Sequence, residues 1–309
     1  MSAYRLYRLA EWMYATLPSG VCLRLAERLA DVQWRFSSVD RAAVRANLAT
    51  VLGHPVAEDS PVVREVFRNF GRYLVEFFNA HRHQGSAVTI EGTEQIVERV
   101  APNQGWIILS AHLGNWELGA MALSRLGCRV SVVALPHRDP RTNQLFDASR
   151  LRGGVQVVPR GLGATQRCLD LLRKGWALGI AGDREFGSNG ITVSFFGRPA
   201  TLPRGPALLS LRTGAPAVPV FLIREGLWRF RFHVEPPIWP DGPQTHASVL
   251  ALTQRYAHVI ERAIRRCPSQ WLMFQPIFGK PPAGSANCEL SIADLQGEPI
   301  RNSQSEIRN

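Results

Sequence analysis

One stretch of the chain holds residue types that can move a proton: Ser110-Ala111-His112-Leu113-Gly114-Asn115-Trp116-Glu117-Leu118-Gly119. An imidazole titrates at about pH 6.5, so His112 can take a proton near neutrality without first becoming an anion. A carboxylate on its second nitrogen would fix the tautomer and stabilise the imidazolium that forms. Glu117, five residues on, is the acid expected to fold back and do this. Gly114 and Asn115 sit where a helix should begin, and their backbone N–H groups are expected to face an oxyanion or a phosphate.

Such groups need a rigid mount. Residues 105–109 form a short apolar run between turn residues, which predicts a buried strand, and Leu118, Met121, Ala122 and Arg125 then recur at helical spacing. His112 therefore leaves a strand end at the mouth of a helix, where α/β sheets bind ligands. From Ala87 onward short strands and helices alternate. Strands are expected at 88–90, 129–135, 155–158, 176–180, 191–196 and 217–223, and helices at 94–100, 143–152, 164–173 and 206–212. Residues 228–234 alternate apolar with basic side chains, as a half-exposed strand near a sheet edge does, and 245–266 make a long amphipathic helix. The succession predicts an α/β sheet covered on both faces.

Residues 1–52 are expected to form three helices. In the first, Leu6, Leu9, Met13 and Leu17 share a face beside Tyr4, Tyr7, Trp12 and Tyr14, and Pro18-Ser19-Gly20 ends it. In the second, Leu25, Leu29, Val32 and Phe36 make one stripe, with Arg24, Arg28, Arg35 and Asp31 on another. Two readings stand: helices lying in a membrane interface, or an ordinary cap on the core. A fourth helix, capped by Asp59 or Ser60 with Pro61 in its first turn, carries Val63, Phe67, Phe70, Leu74, Phe77 and Phe78 on one side and Arg64, Arg68 and Arg72 on another. Its aromatic stripe is either core or one wall of a lipid-chain tunnel. The expected organisation is an amphipathic helical extension over 1–52, a catalytic domain over 53–281 and a polar, disordered tail over 282–309.

The formal charge of +11, from 36 basic and 25 acidic residues, suits an acidic partner, either nucleic acid or an anionic membrane. The arginines are dispersed and no nucleic-acid module is visible, which disfavours the first. Five scattered cysteines without C-x-x-C suggest neither a zinc knuckle nor a disulfide framework. No apolar run reaches the roughly 18 residues of a spanning helix, and the N-terminus lacks a signal-peptide core. H-E-x-x-H, Walker and G-x-S-x-G sequences are absent, and Gly161-Leu162-Gly163 lacks the rest of a dinucleotide fingerprint, so no metal, nucleotide or other cofactor is expected. His54, His81, His83, His137 and His258 have no acid motif beside them and read as surface or packing residues.

At His112-Leu113-Gly114-Asn115-Trp116-Glu117 the chain resembles the glycerolipid and lipid A acyltransferases, marked by a histidine and an acid after four intervening residues. The resemblance is closer to the bacterial branch holding the lipid A lauroyl/myristoyl and phosphatidylinositol mannoside acyltransferases. Arg150 falls where that branch carries an arginine, and Gly182-Asp183-Arg184-Glu185 matches its acidic-basic-acidic turn. Phe195 to Ala200, Pro203 to Ala207, Thr213 to Pro216 and Pro268 to Trp271 match further blocks, in the family's order, over about 47–278. One departure is plain: the lipid A enzymes usually begin with a spanning helix, and here Glu11 and the Pro18-Ser19-Gly20 break oppose one.

The resemblance implies a mixed central β-sheet flanked by helices and an O-acyltransferase. It would use acyl carrier protein or coenzyme A thioesters on a lipid or glycolipid hydroxyl, such as that of a lipid A precursor or a mannosylated phosphoinositide. His112 would be the base and Glu117 its partner; Arg150 and Arg184 would bind phosphate of acceptor or donor, with Asp183 and Glu185 orienting them. The expected place is the cytoplasmic face of the inner membrane, peripheral or monotopic, as a monomer. The readings from other classes are a basic nucleic-acid-binding protein and a lipid-binding relative without catalysis.

Overall fold

Trp106-Ile107-Ile108-Leu109 has no polar face, which suits a strand covered on both sides. The computed structural model describes residues 3–81, 87–187 and 190–278; His83 and the expected tail at 282–309 lie outside the described residues. Its strands are β1 (Ala87–Glu91), β2 (Trp106–Ser110), β3 (Val130–Ala134), β4 (Val155–Pro159), β5 (Ala177–Ala181), β6 (Ile191–Phe195), β7 (Arg198–Leu202), β8 (Ala217–Gly226) and β9 (Arg229–Val234). Its helices are α1 (Ala3–Thr16), α2 (Ser19–Phe36), α3 (Ser38–Leu52), α4 (Pro61–Asn79), α5 (Glu94–Val97), α6 (Trp116–Arg125), α7 (Pro140–Arg152), α8 (Ala164–Arg173), α9 (Gly205–Thr213) and α10 (His246–Arg266).

Seven strands make one sheet in the order β1-β9-β8-β2-β5-β3-β4. β8, β2, β5, β3 and β4 run parallel, β9 returns antiparallel to β8, and β1 lies parallel to β9, so the sheet is mixed. Ile107, Leu109 and Leu178 point into a core closed by α8, α9 and α10. Ile108, Ala177, Val218 and Val220 point into the other, closed by α4, α6 and α7. The alternating strand near the edge is β9: Phe230, Phe232 and Val234 are buried, while β1 covers its outer side. β6 pairs with β7 in a separate hairpin turned by Phe196 and Gly197, both at positive φ. That partner strand is not readable in advance, because Arg198-Pro199-Ala200-Thr201 has neither strong β-formers nor clean alternation.

α2 lies on α4 through Cys22, Leu23, Ala26 and Ala30. Gly71 permits the approach, since a Cβ there would sit 2.9 Å from the Ala26 carbonyl oxygen. Ion pairs flank the contact: Arg64 and Arg68 both donate to the Asp31 carboxylate at 2.7–2.9 Å, and Arg72 donates to Glu27 at 2.7 Å. Hydrogen bonds from Arg64 and then Arg68 hold the Asp31 carboxyl well below the usual range. The opposite face of α2 is open, with Leu29, Val32 and Phe36 exposed at 66%, 53% and 78%. α3 is fastened to the core by Asn47, which donates to the carbonyls of Met273 (3.2 Å) and Gln275 (2.7 Å). Among the described residues no helix is long and apolar enough to cross a membrane.

Candidate active site

Ser110, the last residue of β2, is in register with Ala181, the last of β5. Two residues beyond each, His112 and Asp183 therefore emerge side by side at the C-terminal edge of the parallel strands. Asp183 Oδ1 lies 2.9 Å from His112 Nδ1, and Oδ2 accepts hydrogen bonds of 2.9 Å from the His112 backbone N–H and from Trp271 Nε1. Burial alone would raise the pKa of Asp183; the facing His112 and these hydrogen bonds outweigh it and hold the carboxyl below its ordinary value. An ionised acceptor opposite Nδ1 makes that nitrogen the donor, which leaves Nε2 as the basic nitrogen. His112, 7% exposed, lines a cavity of about 580 Å³.

Glu117, expected to partner His112, is elsewhere. α6 begins at Trp116, whose ring meets the imidazole edge-on at 5.0 Å. The next position is turned about 100° round the helix, toward α7, where Glu117 accepts from Arg150 at 2.6, 3.0 and 3.2 Å. Arg150, expected to bind phosphate, is thus committed to Glu117 and, at 3.0 Å, to Asp147. Burial opposes its charge, but the Glu117 field and hydrogen bonds raise its pKa further. The amides of Gly114 and Asn115, expected at an oxyanion, donate to the carbonyls of Gln270 and Leu222, each at 2.9 Å. Residues 113–114 instead bridge Trp271 and Leu222. Gly114 has φ +64°, and a Cβ on it would come within 2.0 Å of the Leu222 oxygen.

The acidic-basic-acidic turn also divides differently from the expectation. Asp183 serves His112 rather than an arginine. Glu185 accepts from Arg160 (2.8 Å) and from the Phe186 N–H (3.0 Å). Arg184 lines the cavity with its guanidinium 4.3 Å over the Phe186 ring. Burial pulls its pKa down to about 10, against the pull of Asp183, so it stays charged at neutral pH.

Several residues had no such role in the sequence reading. Trp271 clamps Asp183, and the signal for it was only its place in the closing block of the resemblance. Asn115 caps α6 through Oδ1, which accepts from the Leu118 N–H at 3.2 Å. Its Nδ2 donates to Glu76 at 3.0 Å, and Glu76 is held by Arg224 through two contacts of 2.6 Å. A buried network thus joins α4, β8 and the His112 loop, and nothing in the spacing of these residues announces it. His137, read as surface or packing, lines the cavity beside Phe146, with ring centroids 4.5 Å apart. Burial first, then Arg150, lowers its pKa to about 4, so it is neutral at neutral pH. The aromatic stripe of α4 divides: Phe67 and Phe77 are core, while Phe70, Tyr73 and Leu74 line the cavity with Tyr7.

A family model described as bacterial lipid A biosynthesis acyltransferase matches residues 3–280. The chain is 29% identical over 244 residues to the phosphatidylinositol mannoside acyltransferase of Mycobacterium tuberculosis H37Rv, a match covering 75% of each chain. Its counterpart in Mycolicibacterium smegmatis is 26% identical over 242 residues, covering 75% of this chain and 78% of the relative. The lipid A biosynthesis palmitoleoyltransferase of Escherichia coli K12 is 24% identical over 286 residues, covering 89% and 90%. With that match running through the sheet, the His112–Asp183 edge and the closing Trp271 segment, the chain belongs to the bacterial lipid A biosynthesis acyltransferase family and is an acyltransferase.

Proposed function

We propose that the protein transfers a fatty acyl group from an acyl thioester of acyl carrier protein or coenzyme A to a hydroxyl of a glycolipid, with His112 as general base. The observation that carries this is the 2.9 Å contact of His112 Nδ1 with buried Asp183, which leaves Nε2 basic at the cavity. The acceptor hydroxyl gives its proton to Nε2 as its oxygen bonds to the thioester carbonyl carbon. When the tetrahedral intermediate collapses the C–S bond breaks, and the departing thiolate takes the proton from the imidazolium. Asp183 stabilises that imidazolium without accepting its proton. Because the Gly114 and Asn115 amides are already bonded, the charged Arg184 guanidinium in the cavity wall is the group assigned to the oxyanion. Glu117 and Arg150 act as a positioning pair that fixes α6 against α7.

A lipid A precursor is the leading acceptor, after the Escherichia coli relative, whose match covers 89% of this chain. A mannosylated phosphoinositide is the second reading, favoured by the higher identity to the mycobacterial enzymes. Attachment is peripheral, on the cytoplasmic face of the inner membrane. The stripe Leu25, Leu29, Val32 and Phe36 enters the interface while exposed Arg24, Arg28 and Arg35 meet anionic headgroups.

The test is transfer of labelled acyl groups from a thioester to a defined glycolipid. Wild type should transfer, and His112→Ala, checked for a native unfolding transition, should not. Full transfer by the folded variant removes His112 from the role of base.

A further inference from the structure

The loop that carries His112 is closed into a ring of hydrogen bonds, and the far side of the ring is one residue of β8, Arg224. Two consecutive loop residues reach it by separate routes. The Gly114 N–H donates to the Gln270 carbonyl at 2.9 Å. The Gln270 side chain then pairs with the Arg224 main chain, accepting from its N–H at 3.0 Å and donating to its carbonyl at 2.9 Å. Asn115 Nδ2 donates to Glu76 Oε2 at 3.0 Å, and the Arg224 guanidinium donates to both Glu76 oxygens at 2.6 Å. A third tie crosses the ring. Arg224 Nη1 donates to Asn69 Oδ1 at 2.8 Å, and Asn69 Nδ2 donates at 2.9 Å to the carbonyl of Ser269, the neighbour of Gln270.

The charged pair in this ring is buried, with the Arg224 and Glu76 side chains 9% and 2% exposed. Taking both charges out of water costs about as much as their attraction contributes, so apolar side chains of similar volume would serve stability as well. What an apolar pair lacks is direction. A guanidinium forked on a carboxylate fixes the orientation of both groups. Here it fixes the carboxylate that holds Asn115, whose Oδ1 in turn caps α6. The cavity wall at this point is formed by Tyr73, Trp116 and Leu222. Arg224 and Glu76 stand behind that wall, so whatever they do for a reaction at His112 they do through the loop.

We propose that Arg224 and Glu76 are positioning residues, which hold the 112–115 loop so that the His112 ring stays seated on Asp183 with Nε2 toward the acceptor. The inference rests on the acyl-transfer reading for the reaction and adds the residues that keep its base in place. Opening the ring frees the loop at Gly114 and Asn115 while the Asp183 contact and the bond from the Leu272 N–H to the His112 carbonyl remain. The imidazole is then still basic but loosely aimed. A misplacement of about 1 Å at a reacting group costs on the order of 10²-fold in rate, so the loss belongs in kcat rather than in KM.

The experiment compares full-length wild type with Arg224→Lys, Glu76→Gln and the double variant Glu76→Leu with Arg224→Met. Phe67→Leu, a core change on the same helix as Glu76, serves as the control. Each protein is checked for cooperative thermal unfolding. Acyl transfer then gives kcat and KM, and mass spectrometry follows the rate at which diethyl pyrocarbonate modifies His112. Arg224→Lys keeps the charge and loses the fork, while the double variant keeps buried packing and loses direction. Both should lower kcat by about 10- to 10²-fold with KM little changed, and both should speed modification of His112 severalfold. Glu76→Gln should show the same two changes at smaller size, and it decides the matter if the other two fail to fold. Phe67→Leu should lower the thermal midpoint and leave both readouts at their wild-type values. Wild-type kcat or wild-type modification in the folded ring variants, or equal changes in Phe67→Leu, overturns the proposal. If wild type transfers nothing, the modification rates decide alone: a faster rate in the ring variants upholds their hold on His112, and the transfer reading is what falls.

Discussion

At His112 the chemistry turns on which ring nitrogen is engaged. Asp183→Asn removes the charge behind Nδ1 while keeping its shape, so kcat should fall by about 10³- to 10⁴-fold with KM little changed, as loss of a triad carboxylate does. Glu117 tests the opposite case. Glu117→Ala leaves Arg150 buried without its main partner and should cost about 3–5 kcal/mol of stability by urea unfolding. The pH midpoint of any residual activity should not move, because the partner of His112 is intact. His137 gives a stability signature. Its folded pKa, about 4, lies below the ordinary 6.5, so between these values the unfolded chain binds a proton that the folded chain refuses. Stability should therefore rise with pH through that window and level off above it, and His137→Gln should flatten the rise. The sequence marks His112 as the reactive residue through its position at a strand end. It does not mark Asp183 as its partner, because the acid nearest in sequence, Glu117, is rotated away by one helical step and the acid nearest in space arrives on another strand.

Among the elements, the 111–115 loop is held from both sides, by Leu222 on β8 and by Gln270 to Leu272 after α10. Gly114→Ala would force a Cβ into the Leu222 carbonyl at positive φ. It should cost activity through displacement of His112 and lower the thermal midpoint by several degrees, the effect of about 1–3 kcal/mol of strain. Most helices and strands were legible because their residues alternate or recur with the right period, as in the run of β2 and the amphipathic α10. The hairpin partner β7 was not, since its strand is imposed by pairing with β6 rather than by its own side chains. The Glu76–Arg224–Asn115 network was also hidden, because it joins residues far apart in sequence that meet only once α4 is docked on the sheet.

For the whole molecule, strand order is what unites the site: β5 lies beside β2 although β3 and β4 intervene in the chain. A pattern of alternating elements predicts a sheet covered on both faces but not which strand ends become neighbours. The apolar stripe of α2 was visible as a stripe, and the fold leaves it outside because the small-residue face and the Asp31 and Glu27 ion pairs take α4 instead. If it docks on lipid, Leu29→Asp with Phe36→Asp should weaken cosedimentation with anionic vesicles by more than about 10²-fold, given the apolar area lost. Rising salt should weaken wild-type binding, as screening of its arginines requires. The central claim is that His112, made basic at Nε2 by Asp183, deprotonates the acceptor hydroxyl. Its most direct test is the pH profile of kcat/KM for acyl transfer in wild type, Asp183→Asn and Glu117→Gln. An acidic limb that shifts in Asp183→Asn and stays in place in Glu117→Gln is predicted; a shift in Glu117→Gln with none in Asp183→Asn would contradict the account.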